Sequence, residues 1–136
     1  MCLCLWEFKY LGYFRNINLV NFRNFEYYNL NFTNNCNVFF GKNGSGKTNI
    51  LEAISLFSKG RGFRNDKLSN IVKKNHRKFI IKSDFQKNNI IYNLVSETNE
   101  SNHKLLKKLS VNNDKSKEFV DKIYKSIPFL FFLPET

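Results

Sequence analysis

The chain has 136 residues and 42% of them are hydrophobic, which suffices for one packed domain and argues against global disorder. Lys and Arg number 22 against 11 Asp and Glu, and the formal charge of +11 favours polyanionic partners, nucleic acid first. A Lys-rich composition alone would give the same excess, so charge leaves the partner open. The three cysteines, Cys2, Cys4 and Cys36, are too few for a disulfide framework and lack histidines at zinc-ligand spacing. We therefore expect a protein of the reducing cytoplasm.

The sequence predicts neither a membrane-spanning helix nor a signal peptide. The longest apolar run, residues 127–134, is far shorter than the ~20 residues that a membrane-spanning helix needs. The first residues lack a basic leader and a small-residue cleavage site. We expect residues 1–14 to be an N-terminal extension and residues 15–136 to be the N-terminal portion of a single domain.

Alternating apolar residues predict the first elements of that domain. A strand is predicted over 15–22, and Tyr28, Leu30 and Phe32 alternate with asparagines in the manner of a half-buried strand. A turn over 33–36 leads to the short apolar run 37–40, which is typical of a buried central strand.

A helix and a basic loop are predicted next. Apolar residues between Ile50 and Phe57 cover most of the circumference of a helix, so this helix is expected to be buried on more than one side. Gly60 is placed to end it, and the loop 60–64 follows.

The second half predicts an antiparallel meander and a final helix and strand. The three strands of the meander are expected at 79–85, 90–95 and 104–111, with turns at 87–89 and 98–102. Phe119, Val120 and Ile123 share one side of an amphipathic helix over 116–124, and the apolar segment 127–133 predicts a last strand.

One segment carries recognisable chemistry, because it matches the phosphate-binding pattern G-x-x-x-x-G-K-[ST] at every position. Its residues are Gly41, Lys42, Asn43, Gly44, Ser45, Gly46, Lys47 and Thr48. The glycines let backbone N–H groups approach phosphate oxygens, and the following helix points its positive end at the same anion. Lys47 is expected to contact the β- and γ-phosphates, and the Thr48 hydroxyl to coordinate Mg²⁺. The pattern follows an apolar strand and opens a buried helix, so it predicts binding of a nucleoside triphosphate with magnesium.

Four further motifs resemble the opening of the RecF family of recombination mediators. They are Asn21-Phe22-Arg23-Asn24-Phe25, Leu51-Glu52-Ala53-Ile54, Gly60-Arg61-Gly62-Phe63-Arg64 and Phe132-Leu133-Pro134-Glu135, and they flank Gly41–Asn49 in the family's order. The resemblance covers about residues 15 to 136. It implies an α/β fold, the first lobe of an ABC- or SMC-type P-loop ATPase head, with a mixed sheet containing antiparallel strands and a buried helix after the phosphate loop.

The same resemblance implies a role in DNA repair and replication, including the response to DNA damage and the SOS response. The expected ligands are ATP and Mg²⁺, and the expected partners are single-stranded or gapped duplex DNA, a second ATPase head and other recombination mediators. No membrane partner is expected.

Several residues receive candidate roles from this resemblance. Arg23 matches an arginine that lies close to the nucleotide, although a solvated arginine at a strand end is the plain alternative. Asn43 could hold the γ-phosphate or its attacking water, and Asn49 could bond back to the loop.

The basic loop after the helix has two possible interpretations. Arg61 and Arg64 could contact DNA phosphates, or they could be solvated residues near the helix C-terminus, where cations are favourable. The lysines at 73, 74 and within 104–108 are interpreted as ordinary surface residues.

The chain lacks parts that hydrolysis in this class requires. No Ser-Gly-Gly signature lies between Asn49 and Thr136, and no apolar strand ends in a pair of carboxylates. Glu135 is interpreted as a polar residue at the lobe junction, with a magnesium carboxylate as the alternative. We therefore expect a truncated head that does not turn over ATP by itself. The head of another SMC- or OLD-like ATPase and a non-catalytic nucleotide-binding remnant remain alternatives, and a membrane-transporter head is disfavoured.

Overall fold

The fold is that of a computed structural model, which describes residues 2–4, 12–33, 36–40, 42, 46–58 and 61–127. The strands are β1 Cys2–Cys4, β2 Tyr13–Phe14, β3 Asn16–Phe22, β4 Phe25–Asn31, β5 Cys36–Val38, β6 Ile80–Lys87, β7 Ile90–Ser101 and β8 Lys104–Val111. The helices are α1 Lys47–Ser55, α2 Leu68–Ile71 and α3 Lys117–Lys125.

A six-stranded antiparallel sheet forms the body of the described chain. Its strand order is β4-β3-β6-β7-β8, and the short β2 also pairs with β6. The predicted meander is confirmed as β6, β7 and β8. The turn predicted at 98–102 is wrong, because β7 continues to Ser101 and turns only at Asn102 and His103, both of which adopt positive φ.

Alternation along β3 decides which face of the sheet is buried. Ile17, Leu19 and Phe22 are fully buried, and the residues between them are partly exposed. Phe22 packs edge-on against Phe79 with ring centroids 5.5 Å apart. Aromatic pairs of this geometry add to the free energy gained from burial, so this face of β3 belongs to the core, as its sequence predicts.

Helix α1 packs into the core with most of its surface. Six of its nine residues, Ile50 to Ser55, are buried, and Leu56 and Phe57 beyond it are fully buried as well. The Phe57 ring stacks near both Phe14 and Tyr124, with centroids 5.8 and 6.2 Å away. The all-round apolar pattern of this segment therefore predicted its burial correctly.

The short strand before the phosphate loop differs from its prediction. Residues 37–40 were expected to form a buried central strand, but β5 ends at Val38, and Val38 and Phe40 are 60% and 89% exposed. Among the described residues β5 pairs only with β1, in an antiparallel register that joins Cys2 to Val38. Burial of these two side chains would need neighbours other than those in the described part of the chain.

The C-terminal end of α1 is held by a lysine that was interpreted as ordinary surface. Lys107 of β8 donates hydrogen bonds to the backbone oxygens of Leu56 and Ser58, at 3.1 and 2.6 Å. Ser96 of β7 also donates to the Leu56 oxygen. These bonds satisfy carbonyls that a helix end leaves without partners. Burial lowers the pKa of Lys107 to about 8.

This lowered pKa predicts how stability changes with pH. Between pH 8 and 10 the unfolded chain, whose Lys107 has a pKa near 10.5, binds more protons than the folded chain, so stability rises with pH. We expect this lysine to add roughly 2 kcal/mol to the free energy of unfolding across that range. The free energy of unfolding is measured by urea unfolding at pH 8, 9 and 10. At higher pH the raised pKa of Tyr124 makes the free energy of unfolding fall as pH rises.

Replacement of the lysine should remove this rise. Lys107→Met is expected to lose it, and Lys108→Met, at an exposed position of the same strand, should keep it. Equal pH dependence in Lys107→Met and the unchanged protein would contradict the assignment.

Candidate functional site

The N-terminal end of α1 is shaped by a glycine that packs against an aromatic ring. Gly46 is the N-cap residue and adopts φ 95°, a left-handed backbone conformation that residues with a Cβ atom disfavour. A Cβ atom there would lie 2.6 Å from Cζ of Phe25. Phe25 begins β4 and packs against Tyr28, with ring centroids 4.8 Å apart. The glycine required by the phosphate-binding pattern is thus also required by the packing.

Only part of the predicted phosphate loop lies in the described chain. Lys42, Gly46, Lys47, Thr48 and Asn49 are described, and Lys42 is exposed. The other four positions, Gly41, Asn43, Gly44 and Ser45, lie outside the described residues, so the roles given to them stay predictions.

Helix α1 presents a positive end where the pattern predicts a phosphate. It begins at Lys47, and Thr48 is the second residue of its first turn. This turn contains no acidic residue, and no side chain caps it. The positive end of the helix dipole therefore favours an anion at this place.

Arg23 lies in the β3–β4 turn and forms an ion pair with a buried carboxylate. Its Nε and Nη2 donate to Oε1 and Oε2 of Glu52, both at 2.8 Å, and Glu52 is fully buried. Nη2 also donates to Asp66 at 3.0 Å. The hydrogen bond with Glu52 is the largest of the influences that together raise the pKa of Arg23. Such a paired, forked geometry is what allows a charged carboxylate to be buried.

The backbone of Arg23 is left-handed because Arg23 and Asn24 alone form the turn between β3 and β4. Its φ of 51° lies in the left-handed region, which disfavours a residue with a long side chain. The Arg23 N–H donates to the Ile71 carbonyl at 2.7 Å, and Lys73 N–H donates to Asn21 at 2.8 Å. These two bonds tie the end of β3 and its turn to Ile71 of α2 and to Lys73, two residues beyond it.

A second polar chain joins the turn, the helix and the basic loop. Asn49 donates to Oδ1 of Asn24 at 3.0 Å and accepts from Nη1 of Arg64 at 3.0 Å. The same nitrogen of Arg64 lies 3.5 Å from Oε1 of Glu52. The structure thus brings Asn49 together with Arg64, whereas the predicted bond from Asn49 back to the loop would involve residues that are not described.

The basic loop is anchored next to the end of α1. Gly62 has φ 76° and leaves space for the Ser55 hydroxyl, which a Cβ atom would approach to 2.7 Å. That hydroxyl accepts a hydrogen bond from the Phe63 N–H at 3.1 Å. Arg61 and Arg64 are both exposed, and Arg64 donates a hydrogen bond to Asn49 in the first turn of α1. The two arginines therefore have different environments.

Sequence reasoning assigned no role to Glu52 or Asp66. The one available signal was a carboxylate between Leu51 and Ala53 inside an otherwise apolar helix, since a charge that must be buried needs a partner. No pattern could have identified Arg23 and Arg64 as its partners, because they come from different segments of the chain.

The described residues contain neither a cluster of metal ligands nor a membrane-spanning helix. No group of three or more His, Cys, Asp or Glu side chains within the described ranges could hold a metal ion. None of the three described helices is long and apolar enough to cross a membrane. The assignment of Thr48 as a magnesium ligand stays a prediction.

Comparison with known proteins identifies the class. The chain belongs to the family described as AAA domain, whose model matches residues 16–135. Within this class the chain is of RecF type, which confirms the resemblance of its motifs and the P-loop ATPase fold. A DNA replication and repair protein RecF from Rickettsia conorii is 46% identical over 74 residues, covering 54% of this chain and 21% of that protein.

Other relatives cover more of the chain. The RecF protein of Francisella tularensis subsp. mediasiatica is 34% identical over 125 residues, covering 91% of this chain and 34% of its own length. A solved structure described as recombination mediator protein RecF-ATP in the RecFOR pathway matches with a TM-score of 0.66 and 31% identity, covering 78% of this chain and 28% of that one. The RecF-ATPrS structure matches with a TM-score of 0.64 and 29% identity over the same shares. The chain therefore spans about a third or less of the length of these relatives.

Proposed function

We propose that this chain binds ATP with Mg²⁺ through residues 41–48 and forms the nucleotide-binding part of a RecF-type recombination mediator. The carrying observation is the positive end of α1, with Lys47 and Thr48 in its first turn behind a glycine whose position leaves no room for a side chain. The similarity to a structure described as RecF-ATP supports ATP as the nucleotide. Thr48 would supply a hydroxyl ligand to magnesium, which the triphosphate would bring with it.

The biological part of this proposal is the loading of recombinase at single-strand gaps during repair, in the cytoplasm. It rests on the recombination-mediator description of the similar structures and on the formal charge of +11, which suits DNA backbone. A second head and further mediators would be partners of the longer RecF-type protein. The matched relatives are RecF proteins, which favours this proposal over an SMC- or OLD-like head.

The exposed arginine of the basic loop is our candidate for a DNA backbone contact. Arg61 is exposed at the start of the loop, and the anchoring of Phe63 to Ser55 holds the loop in place. Arg64 is directed towards Asn49 instead. A basic side chain on a surface loop can contact phosphates without reading sequence.

Nucleotide binding is tested by Lys47→Ala. With Mg-ATP at about a hundred times its Kd, the unchanged chain should gain about 2.7 kcal/mol of stability, which thermal unfolding detects as a higher Tm. Lys47→Ala is expected to lose this protection. Lys74→Ala, which removes an exposed lysine outside residues 41–48, should keep it. Equal protection of Lys47→Ala and the unchanged chain would refute the site.

The DNA contact is tested by the salt dependence of binding. If Arg61 contacts one phosphate, Arg61→Gln should flatten the slope of log affinity against log salt by about 0.9. Lys74→Gln removes the same charge from another exposed position and should leave the slope nearly unchanged. Fluorescence anisotropy with a gapped duplex at several salt concentrations measures both. Identical slopes in Arg61→Gln and the unchanged chain would exclude this contact.

A further inference from the structure

An exposed tyrosine lies on the open face of the six-stranded sheet, which is the face opposite the core. Leu19 of β3 and Tyr28 of β4 are direct partners, and Leu19 is fully buried on the core side. Successive residues of a strand point to opposite faces of a sheet, so the next pair, Val20 and Tyr27, points to the open face. Tyr27 is 68% exposed, and its hydroxyl forms no hydrogen bond with the described residues. The ring is therefore available to a ligand.

The open face around Tyr27 is apolar in the middle and basic at its sides. Val20 pairs with Ile80 of β6, so Tyr27, Val20 and Ile80 form one row across three strands. Lys78 and Lys82 lie two residues before and after Ile80, and both are exposed. Neither lysine makes an ion pair with any described residue. An aromatic ring with cations on either side can stack a base and hold the adjoining phosphates.

The carboxylates in this part of the sheet are mostly engaged with other groups. Glu97 of β7 lies 3.7 Å from the ammonium of Lys115. Both oxygens of Asp84 on β6 accept hydrogen bonds from asparagine side chains. Of the three carboxylates that include Glu26, the exposed residue before the tyrosine, Glu26 alone lacks such a partner. The two unpaired lysines outnumber it, so an anionic partner is favoured over a cationic one.

A groove opens on the same face at the far end of β4. Its volume is about 400 Å³, and it is lined by Tyr13, Arg15, Asn16, Asn31, Phe32 and Asp84. Asn31 follows Tyr27 by four residues, which corresponds to about 13 Å along a strand. Arg15 is exposed, and its guanidinium forms no hydrogen bond or ion pair with the described residues. The groove thus combines an unused cation, amide groups and aromatic rings, within reach of a ligand that also covers Tyr27.

We propose that the open face along β4 binds single-stranded DNA, with one base stacked on Tyr27 and a nearby nucleotide in the groove. Arg15 contacts a phosphate at the groove, and Lys78 and Lys82 contact phosphates beside the stacked base. Bases of a duplex already stack on each other, so an exposed ring takes a base only from an unpaired strand. This inference rests on the proposed function, since it names the form of DNA that the protein would hold. It concerns residues other than the basic loop 60–64.

The stacked base is tested by fluorescence anisotropy with a labelled oligothymidylate, which forms no duplex. Tyr27→Ala should raise Kd about tenfold, because a stacked ring is lost. Tyr27→Phe keeps the ring and should bind within about twofold of the unchanged chain, whereas Tyr27→Leu keeps only apolar area and should resemble Tyr27→Ala. Ile91→Ala removes another exposed apolar side chain, on β7, and should leave Kd unchanged.

The path of the strand is tested by the salt dependence of the same binding. Arg15→Gln and Lys82→Gln should each flatten the slope of log affinity against log salt by about 0.7, the value for one phosphate contact of a single strand. Lys122→Gln removes an exposed lysine of α3 and should leave the slope unchanged. Unchanged slopes in both Arg15→Gln and Lys82→Gln would contradict this path.

Several results would overturn the stacking of an unpaired base. They are equal affinities of Tyr27→Ala and the unchanged chain for oligothymidylate, or an equal loss by Tyr27→Ala for a duplex of the same length. Self-association in sedimentation experiments that Tyr27→Ala abolishes would overturn it too, because the face would then be an interface between copies of the chain. Circular dichroism establishes that each variant is folded.

Failure of this inference differs from failure of the proposed function. Binding of a gapped duplex that depends on Arg61 but not on Tyr27 would overturn the inference and leave the proposed DNA contact standing. No binding of either single-stranded or gapped DNA at low salt would contradict both. Protection by Mg-ATP, and its loss in Lys47→Ala, is measured without DNA and tests the nucleotide site separately.

Discussion

The candidate site depends on the ion pair between Arg23 and the buried Glu52. Its two hydrogen bonds of 2.8 Å join the β3–β4 turn to α1, and the carboxylate would be too costly to bury without them. Arg23 occupies the left-handed first position of this two-residue turn. The same turn supplies Asn24, which holds Asn49, and Phe25, which covers Gly46. One interaction therefore fixes several groups around the start of α1.

The sheet explains why this turn is rigid enough for the task. β3 pairs with β4 on one side and with β6 on the other, and its buried face contributes Ile17, Leu19 and Phe22 to the core. At the other end of α1, Lys107 and Ser96 of the meander hold the last carbonyls. The helix is thus fixed at both ends by strands of one sheet. Its first turn is left as a positive surface that a triphosphate complements.

Local patterns predicted much of this architecture. The apolar residues Ile17, Leu19 and Phe22 of β3 and the all-round apolar surface of α1 were sufficient, since both elements bury their apolar residues. The octapeptide at 41–48 predicts the class of ligand, and this stays a prediction. Glu52, Asp66 and Lys107 were missed, since Arg23 lies 29 and 43 residues from the two carboxylates, Leu56 lies 51 residues from Lys107, and no local spacing reveals such pairs. The exposure of Val38 and Phe40 was missed for a related reason, because burial of a short apolar strand depends on its neighbours.

The most direct test of a triphosphate at the start of α1 is a titration of the ¹⁵N-labelled chain with Mg-ATP, followed by NMR. The backbone amides of Gly46, Lys47, Thr48 and Asn49 should shift in a saturable way, because their N–H groups would exchange water for phosphate oxygen. The chemical shifts of amides in α3, such as that of Tyr124, should not change. Saturable shifts confined to other parts of the chain, or none in residues 46–49 at millimolar Mg-ATP, would contradict a nucleotide site at this helix.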